Sequence, residues 1–151
     1  MTIRCAPAGI LLLAAATTAC SNSTPVEGEL PSPGQTVPAL LGEEVRLAVG
    51  QAATYPDGVS VTYVRLVGDS RCPMDVVCVW AGDATVLLQV VDGRKVAVEV
   101  TLHTNGEAGS REHRSGAFLV TLLGVEPYPQ STVPRDPALS QVVLRVTRPR
   151  G

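Results

Sequence analysis

Aromatic residues, helical periodicity and long apolar runs are all scarce in this sequence. It contains one phenylalanine, one tryptophan and three tyrosines among 151 residues, which excludes a core built mainly from aromatic side chains. No window repeats apolar residues at the spacing of a helix face. The apolar run at residues 8–16 has nine residues, whereas a membrane-spanning helix needs about 20. These absences favour a β-rich domain with a core of valine and leucine.

Catalytic signatures are also absent. The chain has no Gly-x-Ser-x-Gly, no His-Glu-x-x-His and no phosphate-binding loop, so no reaction can be read from its motifs. We therefore expect a protein that is not an enzyme and that needs no cofactor. With 12 basic and 14 acidic residues, the chain has no net positive charge to attract nucleic acid. We therefore do not expect nucleic acid as a partner.

The amino-terminal residues have the organisation of an export signal. Arg4 precedes the short apolar run, and Thr17-Thr18-Ala19-Cys20 follows it. Small residues directly before a cysteine resemble a bacterial lipobox, although Thr17 stands where leucine is usual. The resemblance implies lipid transfer to the Cys20 sulfur, removal of residues 1–19 as a signal peptide and acylation of the new amino terminus. The alternative is an ordinary secretory signal in which Cys20 is incidental.

These features predict an exported lipoprotein of the cell envelope, anchored in a membrane through Cys20 and facing the periplasm or the cell exterior. Residues 20–42 are predicted to comprise the lipidated cysteine and a flexible tether. Residues 21–42 contain four prolines and little apolar periodicity, so they bury too little surface to offset the entropy lost on ordering. Strand-like patterns begin at Glu43, and the folded domain is therefore predicted over residues 43–151.

The folded part consists of short segments with the pattern of β-strands. Apolar and polar positions alternate along residues 95–102, as on a strand with one buried face. Asp92-Gly93, which lies between two such segments, predicts a hairpin. Glycine and proline separate the segments throughout. We predict an all-β domain, either a single antiparallel β-sandwich of the immunoglobulin-like kind or a small barrel, with about seven strands.

Two long polar connections, residues 103–116 and 126–140, interrupt the predicted strands. Long connections are often functional. They contain residue types that perform acid–base chemistry, namely His103, Glu112, His113 and Asp136. These residues would act together with a serine. A hydrolase built from these residues is therefore an alternative to a protein without catalytic activity.

Cys72 and Cys78 are the cysteines that remain once residues 1–19 are removed and Cys20 is lipidated. A metal site would combine them with His103, His113 and Met74, but zinc-binding cysteine pairs usually lie two to four residues apart. A redox site would place Cys-x-x-Cys at the start of a helix. We therefore predict a disulfide without a metal. Its seven-residue ring would stabilise the fold by roughly 2.4 kcal/mol if it were unstrained.

Trp80 lies two residues after Cys78 and is the largest apolar side chain available to the core. Because Phe118 is the only phenylalanine, we predict that Trp80 is a core residue that closes one end of the sandwich against the disulfide. The alternative is an exposed Trp80 that anchors a partner, since tryptophan is enriched at binding hot spots.

The segment Asp69–Ala84 reads DSRCPMDVVCVWAGDA, and residues 122–129 read LLGVEPYP. Together they resemble a family of small secreted bacterial proteins of unknown function, many of which carry a lipobox. The resemblance covers about residues 59–129. It implies a β-rich, exported domain and no particular activity. The residues that carry it are Asp69, Ser70, Arg71, Cys72, Pro73, Cys78, Trp80, Ala81, Gly82, Pro127, Tyr128 and Pro129.

The function expected from these features is that of a lipid-anchored binding or structural module, with another envelope protein as its partner. The alternative is a protease inhibitor. The disulfide-closed loop SRCPMDVVC would be rigid, rigid loops lose little entropy on binding, and Arg71 would enter a trypsin-like pocket. An Arg71 that is buried against Asp69 or Asp75 would contradict the inhibitor hypothesis.

Overall fold

The computed structural model describes residues 34–93 and 96–149. The predicted signal peptide, the lipidated Cys20 and the first part of the predicted tether lie outside these residues. The described residues form nine strands and two short 3-10 turns. The strands are β1 (Thr36–Pro38), β2 (Glu44–Ala48), β3 (Ala52–Thr54), β4 (Ser60–Asp69), β5 (Ala84–Val91), β6 (Ala97–His103), β7 (Glu112–Ser115), β8 (Phe118–Glu126) and β9 (Gln141–Thr147).

The strands form two separate sheets, in the orders β1-β3-β4-β5-β6 and β2-β9-β8-β7. Neighbouring strands are antiparallel except for β1 and β3. β1 and β3 are parallel because β2, which lies between them in sequence, belongs to the other sheet. The prediction of an all-β sandwich is confirmed, and the alternative of a small closed barrel is not realised.

The core lies between the two sheets and follows from the alternation along the strands. In β5, every second residue is buried and the intervening ones are partly exposed. The buried side chains are mainly valine and leucine, as the composition predicts. The largest fully buried side chain is Tyr63, whose hydroxyl lies 2.6 Å from Ser140 Oγ. This hydrogen bond satisfies the polar end of an otherwise apolar side chain.

The prediction that Trp80 belongs to the core is wrong. Its side chain is 77 % exposed, because it lies in the connection between β4 and β5, outside both strands. The aromatic side chains inside the sandwich are instead Tyr55, Tyr63 and Phe118. The chain therefore builds its core without its largest apolar residue.

The folded domain begins before Glu43, so the predicted tether is too long at its carboxyl end. β1 lies within residues 20–42 and pairs with β3 from Thr36↔Ala52 to Pro38↔Thr54. Three apolar residues of this segment, Val37, Ala39 and Leu41, contact the core. The burial of these residues offsets the entropy of ordering a segment whose prolines and glycines suggest a linker.

The connections agree with the prediction only in part. The hairpin predicted at Asp92-Gly93 is confirmed, since Val91 of β5 pairs with Ala97 of β6. The predicted loop 103–116, however, contains strand β7, which pairs with β8. Of the predicted core face of residues 95–102, Val100 and Leu102 are buried, whereas Val96 and Val98 are exposed. The exposed pair lies near the start of β6, an edge strand whose outer side has no neighbour in its sheet.

Four connections meet at one end of the sandwich, which we call the hairpin end. They are the β2–β3 turn at residues 49–51, the β4–β5 connection at residues 70–83, and residues 104–111 and 127–140. Gly34, the first described residue, also lies here, because its N–H donates to the Gly50 carbonyl at 2.9 Å. The chain therefore enters the domain at the same end from which the cysteine-containing connection extends.

Candidate binding surface

Residues 70–83, here called the cysteine hairpin, continue the β4–β5 pairing beyond the sheet. The Ser70 N–H donates to the Asp83 carbonyl at 2.7 Å, and the Cys72 N–H donates to the Ala81 carbonyl at 2.8 Å. The predicted disulfide between Cys72 and Cys78 is confirmed and closes the hairpin just beyond these bonds. Both backbone pairing and a covalent bond therefore hold the tip, residues 74–80.

Gly82 allows the two arms of the cysteine hairpin to approach each other. Its φ is +71°, in the left-handed region that favours glycine. A Cβ atom at this position would lie 1.9 Å from the Ser70 carbonyl oxygen, which is backbone and cannot rotate away. Gly82, which follows Trp80 and Ala81 in the sequence motif, is therefore required because the two arms of the hairpin lie so close together here.

Arg71 fastens the base of the hairpin to the rest of the domain. Its Nε and Nη2 donate to the two carboxylate oxygens of Asp69 at 2.9 and 2.8 Å, a bidentate pair. The same guanidinium donates to the carbonyl oxygens of Val125 and Pro127, at the start of the 127–140 connection. It also lies 4.9 Å from the centre of the Tyr128 ring. The motif residues from both parts of the chain thus form one cluster.

Asp69 remains ionised within this cluster. Burial acts to raise the pKa of its carboxyl group, but hydrogen bonds from the Arg71 side chain and backbone, with the charges of Arg71 and Arg135, lower the pKa below its ordinary value. Arg135 contributes a further contact, because its Nη1 donates to the Asp69 carbonyl at 2.8 Å. The Asp69 carboxylate therefore lies between the charges of two arginines.

The second arm of the hairpin is held by Asp83. Its Oδ1 accepts from the Asn105 N–H at 2.9 Å and from Thr104 Oγ1 at 3.1 Å. Its Oδ2 accepts from Thr85 Oγ1 at 2.9 Å and lies 2.7 Å from His103 Nδ1. Burial acts to raise the pKa of Asp83, but these hydrogen bonds outweigh it and lower the pKa. Asp83 therefore connects the hairpin to the 104–111 connection.

The tip is also bound on one side to the 127–140 connection. The Met74 N–H donates to the Pro129 carbonyl at 3.0 Å, and the Ser131 N–H and hydroxyl both donate to the Asp75 carboxylate. These bonds use the Met74 N–H and Asp75, the one charged side chain of the tip, within the protein. The side chains that the tip presents to solvent are therefore mainly apolar.

The exposed face of the tip carries Val77, Val79 and Trp80. Val77 is fully exposed, and Val79 is 93 % exposed. Met74 and Val76 beside them are exposed as well. Single exposed apolar residues are ordinary, but several within seven residues of one loop are typical of an interaction surface. We take this face as the candidate functional site.

A groove of about 860 Å³ runs beside the cysteine hairpin, with Trp80 and Tyr128 in its wall. Its charged lining residues have both signs, since Glu44 and Glu107 accompany Arg46 and Arg111. No described histidine, serine or cysteine lines it. The groove therefore contains none of the residues named for the hydrolase hypothesis and lacks a single sign of charge that would select an ionic ligand.

The residues considered for catalysis do not form one hydrogen-bonded group. His103 bonds to Asp83, Glu112 accepts from Thr121, and Asp136 caps the turn at Ala138. The sulfurs of Cys72 and Cys78 are consumed in the disulfide, so they are not thiolate ligands for the metal site that was considered. Among residues 34–93 and 96–149, no group of three or more His, Cys, Asp or Glu is placed to hold a metal ion.

The inhibitor hypothesis depended on an exposed Arg71, and Arg71 is only 6 % exposed. Its guanidinium is bound to Asp69 and to two backbone carbonyls, so it cannot enter a protease pocket without breaking the cluster. The structure therefore favours an Arg71 that is paired with Asp69 over one that is free to bind a protease.

Comparison with protein-family models, with curated proteins and with solved structures found no match to this chain. In the part of the chain that the structure describes, no helix combines the length and apolar character needed to cross a membrane.

We expect Trp80→Ala to change the free energy of unfolding by no more than about 0.5 kcal/mol, because an exposed side chain loses little packing on truncation. Denaturant unfolding followed by circular dichroism measures this. Leu122→Ala is the comparison, because Leu122 is fully buried and its truncation should cost about 2–5 kcal/mol. A loss with Trp80→Ala as large as that with Leu122→Ala would contradict the exposed position of the indole.

We expect the domain to lose stability in acid. The pKa values of Asp69 and Asp83 are lowered in the folded state, and an unfolded aspartate has a pKa of about 3.9. Their contribution is therefore present above about pH 4 and is lost as the pH falls through the folded pKa values. Denaturant midpoints should be level from pH 7 to 5 and fall below about pH 4. Asp83→Asn should flatten this fall; an unchanged slope would show that Asp83 does not contribute to it.

Proposed function

We propose that this protein is an exported, lipid-anchored binding module of the cell envelope and that the tip of the cysteine hairpin is its binding surface. The observation that carries the proposal is the exposed apolar face of Val77, Val79 and Trp80 on a loop that a disulfide closes and whose one charged side chain, Asp75, is bonded within the domain. Covering this face removes apolar surface from water, which is favourable by roughly 25 cal/mol per Å².

The fixed conformation of the tip supports a binding role. The disulfide, the bonds from Met74 and Asp75 to the 127–140 connection and the Arg71–Asp69 pair restrict the hairpin before any partner arrives. A preorganised loop loses less conformational entropy on binding than a mobile one. Tryptophan is also among the residues that most often dominate binding energy.

A role without catalysis is supported by the use of the polar groups around the hairpin. Asp69, Asp75 and Asp83 are each occupied by hydrogen bonds within the domain. A general acid or base needs a group that can reach the proton of a substrate. The carboxylates around the hairpin instead have structural partners, and their lowered pKa values keep them ionised near neutral pH.

The anchor is proposed from the lipobox-like Thr17-Thr18-Ala19-Cys20 and from the short apolar run before it. Mass spectrometry of the mature protein tests it directly. We expect a mature chain that begins with a lipidated Cys20. An unmodified cysteine, or cleavage at another position, would contradict the anchor.

The binding surface is tested by photocrosslinking in whole envelopes. A photoreactive amino acid in place of Val77 should form adducts with another envelope component. Val96 is the matched control, since it is an exposed valine at the opposite end of the sandwich and should form few adducts. Equal adduct formation at both positions would contradict a specific role for the tip.

A further inference from the structure

We propose that the partner of the tip is the membrane that carries the lipid anchor, with the side chains of Val77, Val79 and Trp80 in the headgroup layer of the bilayer. This inference rests on the anchor at Cys20 that is part of the proposed function. It adds a second, non-covalent membrane contact and a defined orientation of the domain, with the hairpin end towards the bilayer.

The topology places the tip and the start of the described domain at the same end. β1 runs parallel to β3 and antiparallel to β4, so β1 begins at the end of the sandwich towards which β4 runs. The hydrogen bond from Gly34 to Gly50 fixes this position beside the β2–β3 turn. The cysteine hairpin continues from β4 and β5 beyond that same end. A tether leading to a bilayer therefore leaves from the end that carries the exposed apolar tip.

The length of the tether keeps this end close to the membrane. Thirteen residues, 21–33, separate Cys20 from Gly34. Fully extended, such a segment spans at most about 45 Å. Attachment at this distance gives the tip a high effective concentration at the bilayer, so a weak contact is sufficient to hold it there.

The chemistry of the tip fits the interfacial layer of a membrane. Valine supplies apolar area, and tryptophan is enriched at the membrane–water interface because its ring is apolar and its N–H is polar. The only charged residue within residues 74–80 is Asp75, which is bound by Ser131. No exposed arginine or lysine lies in the tip, so we expect the contact to need no anionic lipid.

The backbone limits how deep the tip can go. Residues 74–80 are not part of a helix or a strand, so many of their N–H and C=O groups lack the regular bonding that a hydrocarbon environment requires. The tip is therefore expected to stop in the headgroup layer. Contact with a protein would not place Trp80 at a defined depth in the bilayer. The depth of Trp80 in the bilayer therefore distinguishes a membrane from a protein as the partner of the tip.

Trp80 is the only tryptophan in the chain and therefore reports on its own position. The mature protein, purified from its native envelope with the modification that it carries there, is placed in phosphatidylcholine vesicles, and flotation measures its attachment. We expect the emission of Trp80 to shift to shorter wavelength on incorporation. Quenching by iodide should fall at least about twofold, since the headgroup layer shields an indole from aqueous ions. A lipid spin label near the headgroups should quench it more than a label near the chain ends.

Matched variants assign the signal to the tip. Val77→Ser with Val79→Ser should return the emission and the iodide quenching towards their values in solution, while flotation continues. Val96→Ser, at the opposite end of the sandwich, should leave both unchanged. Adding an anionic lipid to the vesicles should have no effect on either quantity.

The outcomes separate this inference from the proposed anchor. Protein that floats with Trp80 still open to iodide would retain the anchor and overturn the membrane contact. A shift in emission that appears only as the protein density on the vesicle rises would identify a second copy of the chain as the occupant, and would also overturn it. Protein that does not float would overturn both the anchor and this inference.

Discussion

Replacing Arg71 with methionine is expected to lower the free energy of unfolding by about 3–5 kcal/mol, because it leaves the Asp69 carboxylate buried without its bidentate partner. The side chains of Arg71 and Asp69 are only 7 % and 8 % exposed, so water cannot replace the lost hydrogen bonds. The carbonyl oxygens of Val125 and Pro127 lose a donor as well. Denaturant unfolding at pH 7 measures the change.

Arg46→Met is the matched control for this prediction. Arg46 also forms an ion pair with a carboxylate, that of Glu126, but both side chains are about half exposed. Exposed pairs contribute about 0–1 kcal/mol, so the control should remain close to the unmodified protein. If the two variants lost equal stability, the Arg71 cluster would have no special structural role.

A double variant tests whether Arg71 acts through Asp69. Asp69→Asn combined with Arg71→Met removes both charges, so no unpaired ion remains in the buried site. The combined loss should therefore be clearly smaller than the sum of the two single losses. Strictly additive losses would mean that the two side chains stabilise the domain independently, against the bidentate geometry.

The long strands could be predicted from the sequence because their apolar residues alternate over many positions. β5 and the second half of β6 follow this pattern, as do Val59, Val61 and Tyr63 at the start of β4. β1, β3 and β7 have three or four residues each, too few to show a period of two. Their pairing depends on neighbours that are distant in sequence, which a local pattern does not reveal.

The candidate site could be predicted only in part. An even pair of cysteines in a chain with a predicted export signal was sufficient to predict the disulfide. The position of Trp80 was not, because its exposure depends on how far the hairpin extends beyond the sheet, and a large apolar residue normally favours the core. The burial of Arg71 requires Val125 and Pro127, which lie 54 and 56 residues away. The sequence motif therefore contains the residues of the Arg71 cluster, but it does not indicate which residues of the motif face solvent.

The difference between the buried cluster and the exposed tip bears on the resemblance to the family of small secreted proteins. Arg71, Gly82 and Pro127 have structural roles in the base of the hairpin, whereas Val77 and Val79 on the exposed face are outside the shared pattern. The pattern therefore describes a scaffold that positions a tip. The chemistry of the tip depends on the residues between the two cysteines, on Val79 and on Trp80, of which Trp80 belongs to the shared pattern.

Gly82→Ala is expected to be the most damaging single-methyl addition in the hairpin. The left-handed conformation costs an L-residue about 1–2 kcal/mol, and overpacking against an immovable group typically adds about 1–3 kcal/mol. The new Cβ would lie 1.9 Å from the Ser70 carbonyl oxygen and 2.9 Å from the Arg71 Cα, so the arms must separate. The hydrogen bonds from Ser70 to Asp83 and from Cys72 to Ala81 would weaken with them.

Gly68→Ala separates this effect from the general effect of replacing a glycine. Gly68 lies near the end of β4, the strand that leads into the arm opposite Gly82, but its φ is not in the left-handed region and a Cβ there would meet no atom within 4 Å. It should leave stability nearly unchanged, and hydrogen exchange at Ser70 and Cys72 should stay slow. Gly82→Ala should speed exchange at both amides and lower the free energy of unfolding by about 2–5 kcal/mol. If Gly82→Ala and Gly68→Ala gave the same free energy of unfolding and the same hydrogen exchange, the close approach of the two arms would not be what holds the cysteine hairpin together.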